Sequence, residues 1–278
     1  MTDLLVTGAS GYLAHRLIPL ACQRGEVVVL SRSEPDAATR ANARWVGADL
    51  LEESTVDVII GLRPRAIINA AATNPGSGHS FATNVMGAAH VARAASRTGS
   101  RLVHVSSDIV HSGQAAPYGD DAEPDPVNDY GRSKADGEAS ILAAVPEAVV
   151  VRTSLIYSLE RMDRGTAGFA DRLRAGESLS LWADAIRQPV YADALSEALL
   201  ILALDAVGER GTINVAGEQA LSRAEFGRRL LAHWGVDTSR ITEGTALDVA
   251  GQPLDLAMRF DRARSLGLPI PGVADVLG

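Results

Sequence analysis

A tyrosine and a lysine stand four positions apart in this chain, at Tyr130 and Lys134. Residues at i and i+4 share one face of a helix, so the spacing predicts two neighbouring side chains on a helix that begins near Asn128. A nearby ammonium stabilises a phenolate, and we therefore expect Lys134 to lower the pKa of Tyr130 from its ordinary value of about 10. Such a phenol can donate or accept a proton near neutral pH.

Two serines, Ser106 and Ser107, follow directly on an apolar run at residues 102–105. If this run is a strand of a parallel sheet, the serines lie at its carboxyl end, where open α/β sheets bind ligands. A hydroxyl there can hydrogen-bond the same carbonyl oxygen that Tyr130 protonates. A tyrosine and a lysine at this spacing also occur by chance on solvated helix faces, so the hypothesis depends on the rest of the chain.

Residues 8–14 have a small side chain at each of the three points where a dinucleotide-binding turn needs one. Gly8 allows a tight turn, Gly11 lets backbone amides approach a pyrophosphate, and Ala14 allows the next helix to pack closely on its strand. The N-terminal amides and the helix dipole then favour an anion. An ordinary glycine turn is the alternative, but the position directly after the first apolar run favours nucleotide binding.

The second apolar run, at residues 27–30, is followed by Ser31, Arg32 and Ser33, where a site for NAD usually has an acidic residue. The guanidinium of Arg32 can pair with a 2′-phosphate. The sequence therefore favours NADP(H) over NAD(H), and a solvated surface arginine is the alternative. Asp49 and Leu50, after a short apolar pair, are well placed to flank the adenine ring.

The first half of the chain alternates short, continuously apolar runs with segments of helical periodicity. Such runs are typical of strands buried on both faces of a parallel sheet. They lie at residues 4–7, 27–30, 66–69, 102–105 and 148–151. Strands separated by helical crossovers predict an α/β fold with a Rossmann-type, doubly wound parallel sheet. We expect residues 1–152 to form this dinucleotide-binding domain. Residues 153–278 are expected to form mostly a smaller substrate-binding lobe, with a helix at about 192–206 returning to the main sheet.

Composition argues against several classes of protein. The 278 residues carry 26 basic and 34 acidic side chains, a net charge of −8, which argues against a nucleic-acid binder. The single cysteine, Cys22, excludes an internal disulfide and a cysteine-based zinc site. No apolar run is long enough to span a membrane, and no signal peptide or metal-ligand spacing is present. We expect a cytoplasmic protein without a bound metal.

Taken together, these motifs resemble those of the extended short-chain dehydrogenase/reductase superfamily, and most closely its dTDP-4-dehydrorhamnose reductase branch. The strings that carry the resemblance to the branch lie at residues 105–113, 129–138, 151–154, 214–217 and 221–226. The resemblance implies hydride transfer from a reduced nicotinamide to a small-molecule ketone, often the 4-keto group of a nucleotide-activated deoxysugar.

The resemblance also implies a role for each matching residue. Tyr130 would be the acid, Lys134 would hold the nicotinamide ribose, and Ser107 would orient the carbonyl. The full set expected to contact the cofactor is Gly8, Ser10, Gly11, Tyr12, Leu13, Arg32, Asp49, Leu50, Ala70, Ala71, Ala72 and Lys134.

Three departures from the branch leave the ketone open. Leu155 stands where the branch has an aromatic residue, residues 109–113 replace Tyr-Val-Phe-Asp-Gly, and Gln252 replaces the arginine of an Arg-Pro pair. Candidates for substrate contact are Ser106, Asp108, His111, Leu155, Trp182 and Tyr191.

Two alternatives to a reductase stay open. A nucleotide-sugar epimerase would use the same Tyr130–Lys134 pair, and a non-catalytic NADP-binding regulatory or sensor subunit would use the cradle alone. Asp108 is followed by Ile109 rather than by glutamate, which argues against a dehydratase. Retention of Tyr130, Lys134 and Ser107 favours catalysis. Helices from about residues 81 and 128 are candidates for a homodimer interface.

Overall fold

The computed structural model describes residues 2–73 and 81–278 of the chain. Its strands are β1 (Leu4–Thr7), β2 (Val27–Ser31), β3 (Arg44–Gly47), β4 (Ala66–Asn69), β5 (Arg101–Val105), β6 (Val149–Arg152), β7 (Ile156–Tyr157), β8 (Leu179–Trp182), β9 (Ile186–Arg187), β10 (Val190–Tyr191), β11 (Gly211–Asn214), β12 (Leu221–Ser222) and β13 (Ile241–Gly244). Its helices are α1 (Ala14–Cys22), α2 (Ala37–Asn42), α3 (Ser54–Leu62), α4 (Ala88–Thr98), α5 (Asp129–Ala144), α6 (Arg164–Arg174), α7 (Ala192–Leu200), α8 (Arg223–His233), α9 (Asp261–Ser265) and α10 (Val273–Leu277). A 3₁₀ turn covers Asp108–Val110, and π-type turns cover Ala82–Gly87 and Ile201–Asp205.

A seven-stranded parallel sheet lies at the centre, with the strand order β11-β6-β5-β4-β1-β2-β3. Helices cover both faces. Leu17 of α1 and Leu199 of α7 are buried on one face, and Ile59 of α3 and Ile141 of α5 are buried on the other. The prediction of a Rossmann-type, doubly wound sheet is confirmed. Because both faces are covered, the strands carry apolar residues at consecutive positions.

One strand of this sheet lies beyond the boundary that the sequence indicated. β11 pairs in parallel with β6, so residues 211–214 extend the main sheet although the sequence boundary assigned them to the lobe. α7 packs on α1 of the main domain, and Leu195 and Leu199 are buried there. The segment from α7 to β11 thus belongs to the main domain. The sequence does not indicate a strand at β11, because Ile213 is its only large apolar residue.

The remaining strands form three two-stranded sheets of a smaller lobe: β7 with β10, β9 with β12, and β8 with β13. Helices α6 and α8 pack on β8, and their buried side chains form a separate apolar cluster with it. The lobe therefore has its own small core and faces the carboxyl edge of the main sheet through its loops. In the described ranges, no helix is both long and apolar enough to cross a membrane.

Candidate active site

A cavity of about 1360 Å³ opens at the carboxyl edge of the main sheet. The main domain contributes the residues after β1, β4 and β5 together with the first turn of α5, and the lobe closes the far side. The three candidate catalytic residues, Tyr130, Lys134 and Ser107, all line this cavity. The sequence motifs are therefore brought together at one place, as the topology of an open α/β sheet requires.

The glycine turn after β1 has the geometry of a dinucleotide cradle. Gly8 has a φ of +77°, and a Cβ placed on it would lie 2.8 Å from the backbone of Ala71. The amide of Gly11 donates to the carbonyl of Gly8 at 2.8 Å, which closes the turn just before α1 begins at Ala14. Only glycine fits at Gly8. The turn therefore suits a group that must approach the backbone closely, as a pyrophosphate does.

The far end of the cradle holds the residues expected near an adenosine. The side chain of Arg32 is 75% exposed, and its Nη1 atom lies 4.0 Å from Oδ2 of Asp49. Leu50 is buried, and its carbonyl oxygen lies 2.8 Å from Nδ1 of His90. An exposed guanidinium with one loose partner can turn toward an incoming phosphate at little cost.

Tight packing at its first turn places α5 against the end of β5. Asn128 caps the helix, and its side chain accepts a hydrogen bond from the amide of Gly131 at 2.8 Å. A Cβ on Gly131 would lie 2.3 Å from the carbonyl oxygen of Ile109, so the helix backbone contacts the turn that follows Ser107. This contact carries Tyr130 to the cavity.

The charges around Tyr130 and Lys134 differ from the expectation. Nζ of Lys134 donates to the carbonyl of Val105 at 2.8 Å, and burial lowers the pKa of Lys134 to about 8. Burial and the carboxylate of Asp108 raise the pKa of Tyr130 to about 12. The prediction that Lys134 lowers the pKa of Tyr130 is wrong for this structure, because burial and Asp108 outweigh the ammonium. Tyr130 therefore holds its proton at neutral pH.

Asp108 lies at the floor of the cavity among hydroxyl groups. Ser154 donates to its Oδ2 atom at 2.6 Å, and Ser107 donates to its Oδ1 atom at 3.1 Å. Ser107 also accepts from the amide of Ile109 and so caps the turn Asp108–Val110. Burial raises the pKa of Asp108. The backbone thus fixes Ser107 beside a carboxyl group that faces the ligand space.

Several predicted contacts lie away from the cavity wall. His111 is fully buried, stacks on Tyr118 with 4.0 Å between ring centroids, and lies 3.4 Å from Nη1 of Arg152. The expectation that His111 contacts the substrate is therefore not met. Trp182 and Tyr191 also do not line the cavity, whereas Ser106, Asp108 and Leu155 do. The cofactor candidates outside the wall are Ser10, Arg32, Asp49, Leu50 and Ala71.

Two arginines on the lobe side line the cavity and were not among the predicted site residues: Arg187 and Arg223. Arg187 is 3% exposed and donates to the carbonyls of residues 186, 253 and 254. The guanidinium of Arg223 lies 5.8 Å from the ring centroid of Trp182. Within residues 2–73 and 81–278, no carboxylate forms an ion pair with either guanidinium. For Arg223 the sequence offered one signal, which is that no acidic residue lies three or four positions away from it. Arg187 lies on a strand, where helical spacing carries no information.

Residues 1–262 match the family described as the RmlD substrate binding domain. The chain belongs to this family. A dTDP-4-dehydrorhamnose reductase of Mycobacterium tuberculosis is 34% identical over 246 residues, which span 86% of this chain and 77% of that protein. The predictions of a short-chain dehydrogenase/reductase and of an NAD(P)-dependent oxidoreductase are therefore confirmed.

Solved structures of the family have the same fold. A hypothetical dTDP-4-dehydrorhamnose reductase from Sulfolobus tokodaii is 28% identical, with a TM-score of 0.81 over 95% of this chain and 94% of that one. A dTDP-4-dehydrorhamnose reductase from Bacillus anthracis, in complex with NADP, is 23% identical, with a TM-score of 0.83 over 100% of this chain and 97% of that one. At 23% identity, the similarity to the Bacillus anthracis structure is evidence for the fold alone.

Proposed function

We propose that this protein is an NADPH-dependent reductase that acts on the ketone of a nucleotide-activated deoxysugar, with Tyr130 as the proton donor. The observation that carries the proposal is the convergence of Tyr130, Lys134 and Ser107 on one cavity with the glycine cradle. Similarity to dTDP-4-dehydrorhamnose reductases supports the choice of sugar ketone.

The cradle residues fit a dinucleotide, and a reduced nicotinamide bound there supplies the hydride. Gly8, Gly11 and the amides of residues 10–13 hold the pyrophosphate. Ala70 and Ala72 would line the nicotinamide side, and Lys134 would bind the ribose. Arg32 pairs with the 2′-phosphate, which supports NADPH over NADH.

Tyr130 donates its proton to the carbonyl oxygen of the substrate while Ser107 orients that oxygen. The raised pKa of Tyr130 keeps the phenol protonated at neutral pH, which is the form that reduction of a ketone requires. The phenolate left after transfer lies one helical turn from the ammonium of Lys134, which offsets its charge.

Arg187 and Arg223 support a nucleotide-activated substrate. Two guanidinium groups without a carboxylate partner make the lobe side of the cavity attractive to an anion, and a diphosphate presents several oxygens for charge-assisted hydrogen bonds. The carboxylates of Asp108, Asp163 and Asp255 act on these arginines through Coulomb interactions without forming an ion pair in the described residues, so both guanidinium groups can still bind a ligand anion.

The proposal is tested with dTDP-4-keto-6-deoxy sugars and NADPH, using Tyr130→Phe. We expect the variant to lose about 100-fold or more of kcat while the Kd for NADPH stays the same. Tyr191→Phe is the matched control, because Tyr191 does not line the cavity. Full turnover by Tyr130→Phe would exclude Tyr130 as the acid. Interconversion of sugar isomers without consumption of NADPH would identify an epimerase instead.

A further inference from the structure

A buried ion pair joins α5 to β6 directly behind the cavity. The side chains of Glu138 and Arg152 are each 4% exposed, and Nη2 of Arg152 lies 2.8 Å from Oε2 of Glu138. Nε of Arg152 lies 3.2 Å from each carboxylate oxygen. A buried pair of this kind is often no better for stability than apolar residues of the same volume. The role of the Glu138–Arg152 pair is therefore sought in the other contacts that Glu138 makes.

Glu138 lies on the face of α5 that carries the site. Tyr130, Lys134 and Glu138 follow one another at intervals of four residues, so the three side chains share one face of the helix. The hydroxyl of Ser106, at the end of β5, also donates to Oε1 of Glu138. The carboxylate thus connects helix α5 with the ends of β5 and β6.

The ammonium of Lys134 is buried with a single hydrogen-bond acceptor in the described ranges, the carbonyl of Val105. A carbonyl dipole replaces only part of the hydration that a cation loses on burial, and burial lowers the pKa of Lys134. The carboxylate of Glu138 opposes that shift, and it is the anionic group that favours the ammonium.

We propose that Glu138 is a positioning residue that keeps Lys134 charged, and that Arg152 and Ser106 hold the Glu138 carboxylate in place for this purpose. The carboxylate of Glu138 thereby forms an ion pair with Arg152 and also favours the charged form of Lys134. The link to turnover rests on the function proposed above, whereas the charge on Lys134 is measured without turnover.

His104 and Tyr130, two titratable groups near Lys134, do not change charge near pH 8. His104 on β5 is neutral, because burial and Lys134 hold its pKa well below 6.5. Tyr130 on α5 keeps its proton, because burial raises its pKa to about 12. Asp108, beyond the end of β5, raises the pKa of Tyr130, whereas burial and Glu138 are the causes of the shift at Lys134. The charge of Lys134 therefore follows Glu138 and its partner Arg152.

The protonation of Lys134 can be measured directly by NMR, because Lys134 is the only lysine in the chain. Protein labelled with [ε-¹³C]lysine gives one side-chain methylene signal, whose chemical shift follows the protonation of Nζ. No assignment is needed, and neither substrate nor cofactor has to be present.

We would titrate the wild type, Glu138→Gln and the control Glu147→Gln by this signal. Glu147 is an exposed glutamate just beyond the end of α5. We expect a wild-type midpoint of about 8, a midpoint lower by about one pH unit in Glu138→Gln, and no change in Glu147→Gln. The alkaline limb of kcat/KM against pH is expected to move down with the midpoint.

Glu138→Gln leaves Arg152 buried without a carboxylate partner, which destabilises the fold, so the double variant Glu138→Gln/Arg152→Met provides the second test. It removes both charges, and we still expect a lowered midpoint for Lys134, because no carboxylate then opposes the effect of burial. The shift is expected to be smaller than in Glu138→Gln, because loss of the Arg152 cation favours the ammonium. A wild-type midpoint in the folded double variant, or an equal shift in Glu147→Gln, would overturn the proposal. A shifted midpoint without reduction of any sugar ketone would instead refute the proposed function alone.

Discussion

The backbone of Gly131 packs on the carbonyl of Ile109 so closely that a Cβ on the glycine would lie 2.3 Å from that oxygen. This contact fixes the first turn of α5, and with it Tyr130, against the segment that carries Ser107 and Asp108. The distance between the phenol of Tyr130 and the hydroxyl of Ser107 is therefore set by a glycine that does not itself line the cavity.

Gly131→Ala is expected to push α5 away from the end of β5. Overpacking of this kind costs about 1–3 kcal/mol of unfolding free energy. A small displacement of the acid costs about 100-fold in kcat. Gly61→Ala is the control, because no atom lies within 4 Å of a Cβ at Gly61 in helix α3. Urea unfolding and steady-state kinetics on both variants measure the two effects. Normal kcat in Gly131→Ala would show that the contact does not position Tyr130.

Lys134→Met is expected to stabilise the fold and to abolish turnover. The pKa of Lys134 falls from 10.5 to about 8 on folding, which costs about 3 kcal/mol while the amine is charged in both states. The variant also loses the hydrogen bond to Val105, which lowers the free energy of unfolding by about 1 kcal/mol. We therefore expect a net gain of about 2 kcal/mol near pH 7.

The pH dependence of this gain follows from the sign of the shift. The cost of the charged lysine is fully present below its folded pKa of about 8 and disappears as pH rises toward 10.5, where the unfolded amine also loses its proton. Urea unfolding of both proteins at low and high pH measures the difference. Arg97→Met, at an exposed cation of α4, is the control. A gain that does not shrink with rising pH would contradict the assigned cause.

Arg32→Ala is expected to weaken NADPH binding and to leave NADH binding unchanged. Loss of a charge-assisted contact with the 2′-phosphate corresponds to about 10-fold or more in Kd. Arg40→Ala is the matched control, since Arg40 is an exposed arginine that already pairs with Glu34 at 2.8 Å. Nicotinamide fluorescence measures the six dissociation constants, for NADPH and NADH with the wild type and both variants. Equal weakening for both cofactors would remove the basis for an NADPH preference.

Arg223→Gln is expected to raise KM for a nucleotide-activated ketone by about 10-fold or more without changing the Kd for NADPH. The guanidinium lies against Trp182 and lines the cavity on the lobe side. Arg228→Gln on the same helix is the control, because Arg228 pairs with Glu243 at 2.8 Å. An unchanged KM in Arg223→Gln would place the anionic part of the substrate elsewhere.

Sequence patterns were sufficient to locate most of the main sheet. Residues 4–7 and 66–69 are strands as predicted, because a strand covered on both faces is apolar at most positions. Each of these two strands ends in a buried polar residue, and Thr7 donates a hydrogen bond to Asn69. β11 was missed because a strand at the sheet edge with one large apolar residue has no such pattern. A run of apolar residues indicates a strand that is buried on both faces, so it does not identify a strand that is only partly buried.

The sequence was sufficient to predict that Tyr130, Lys134 and Ser107 lie at one site, but not to predict the electrostatics around them. Helical spacing places Tyr130 and Lys134 on one face, but it contains no information on burial or on Asp108, which together reverse the expected pKa shift. His111 follows the right strand, but Tyr118 covers it from a distant part of the loop. Both outcomes are decided by contacts between different segments of the folded chain, which residue spacing within one helix or strand does not contain.

Transfer of deuterium to the sugar from NADPH that carries deuterium at both hydrogen positions of nicotinamide C4 tests the central claim most directly. With wild-type protein and a dTDP-4-keto-6-deoxy sugar, we predict one deuterium at the former carbonyl carbon for each NADPH oxidised, measured by mass spectrometry of the product. Product without deuterium, or isomerised sugar with no NADPH consumed, would contradict a reductase.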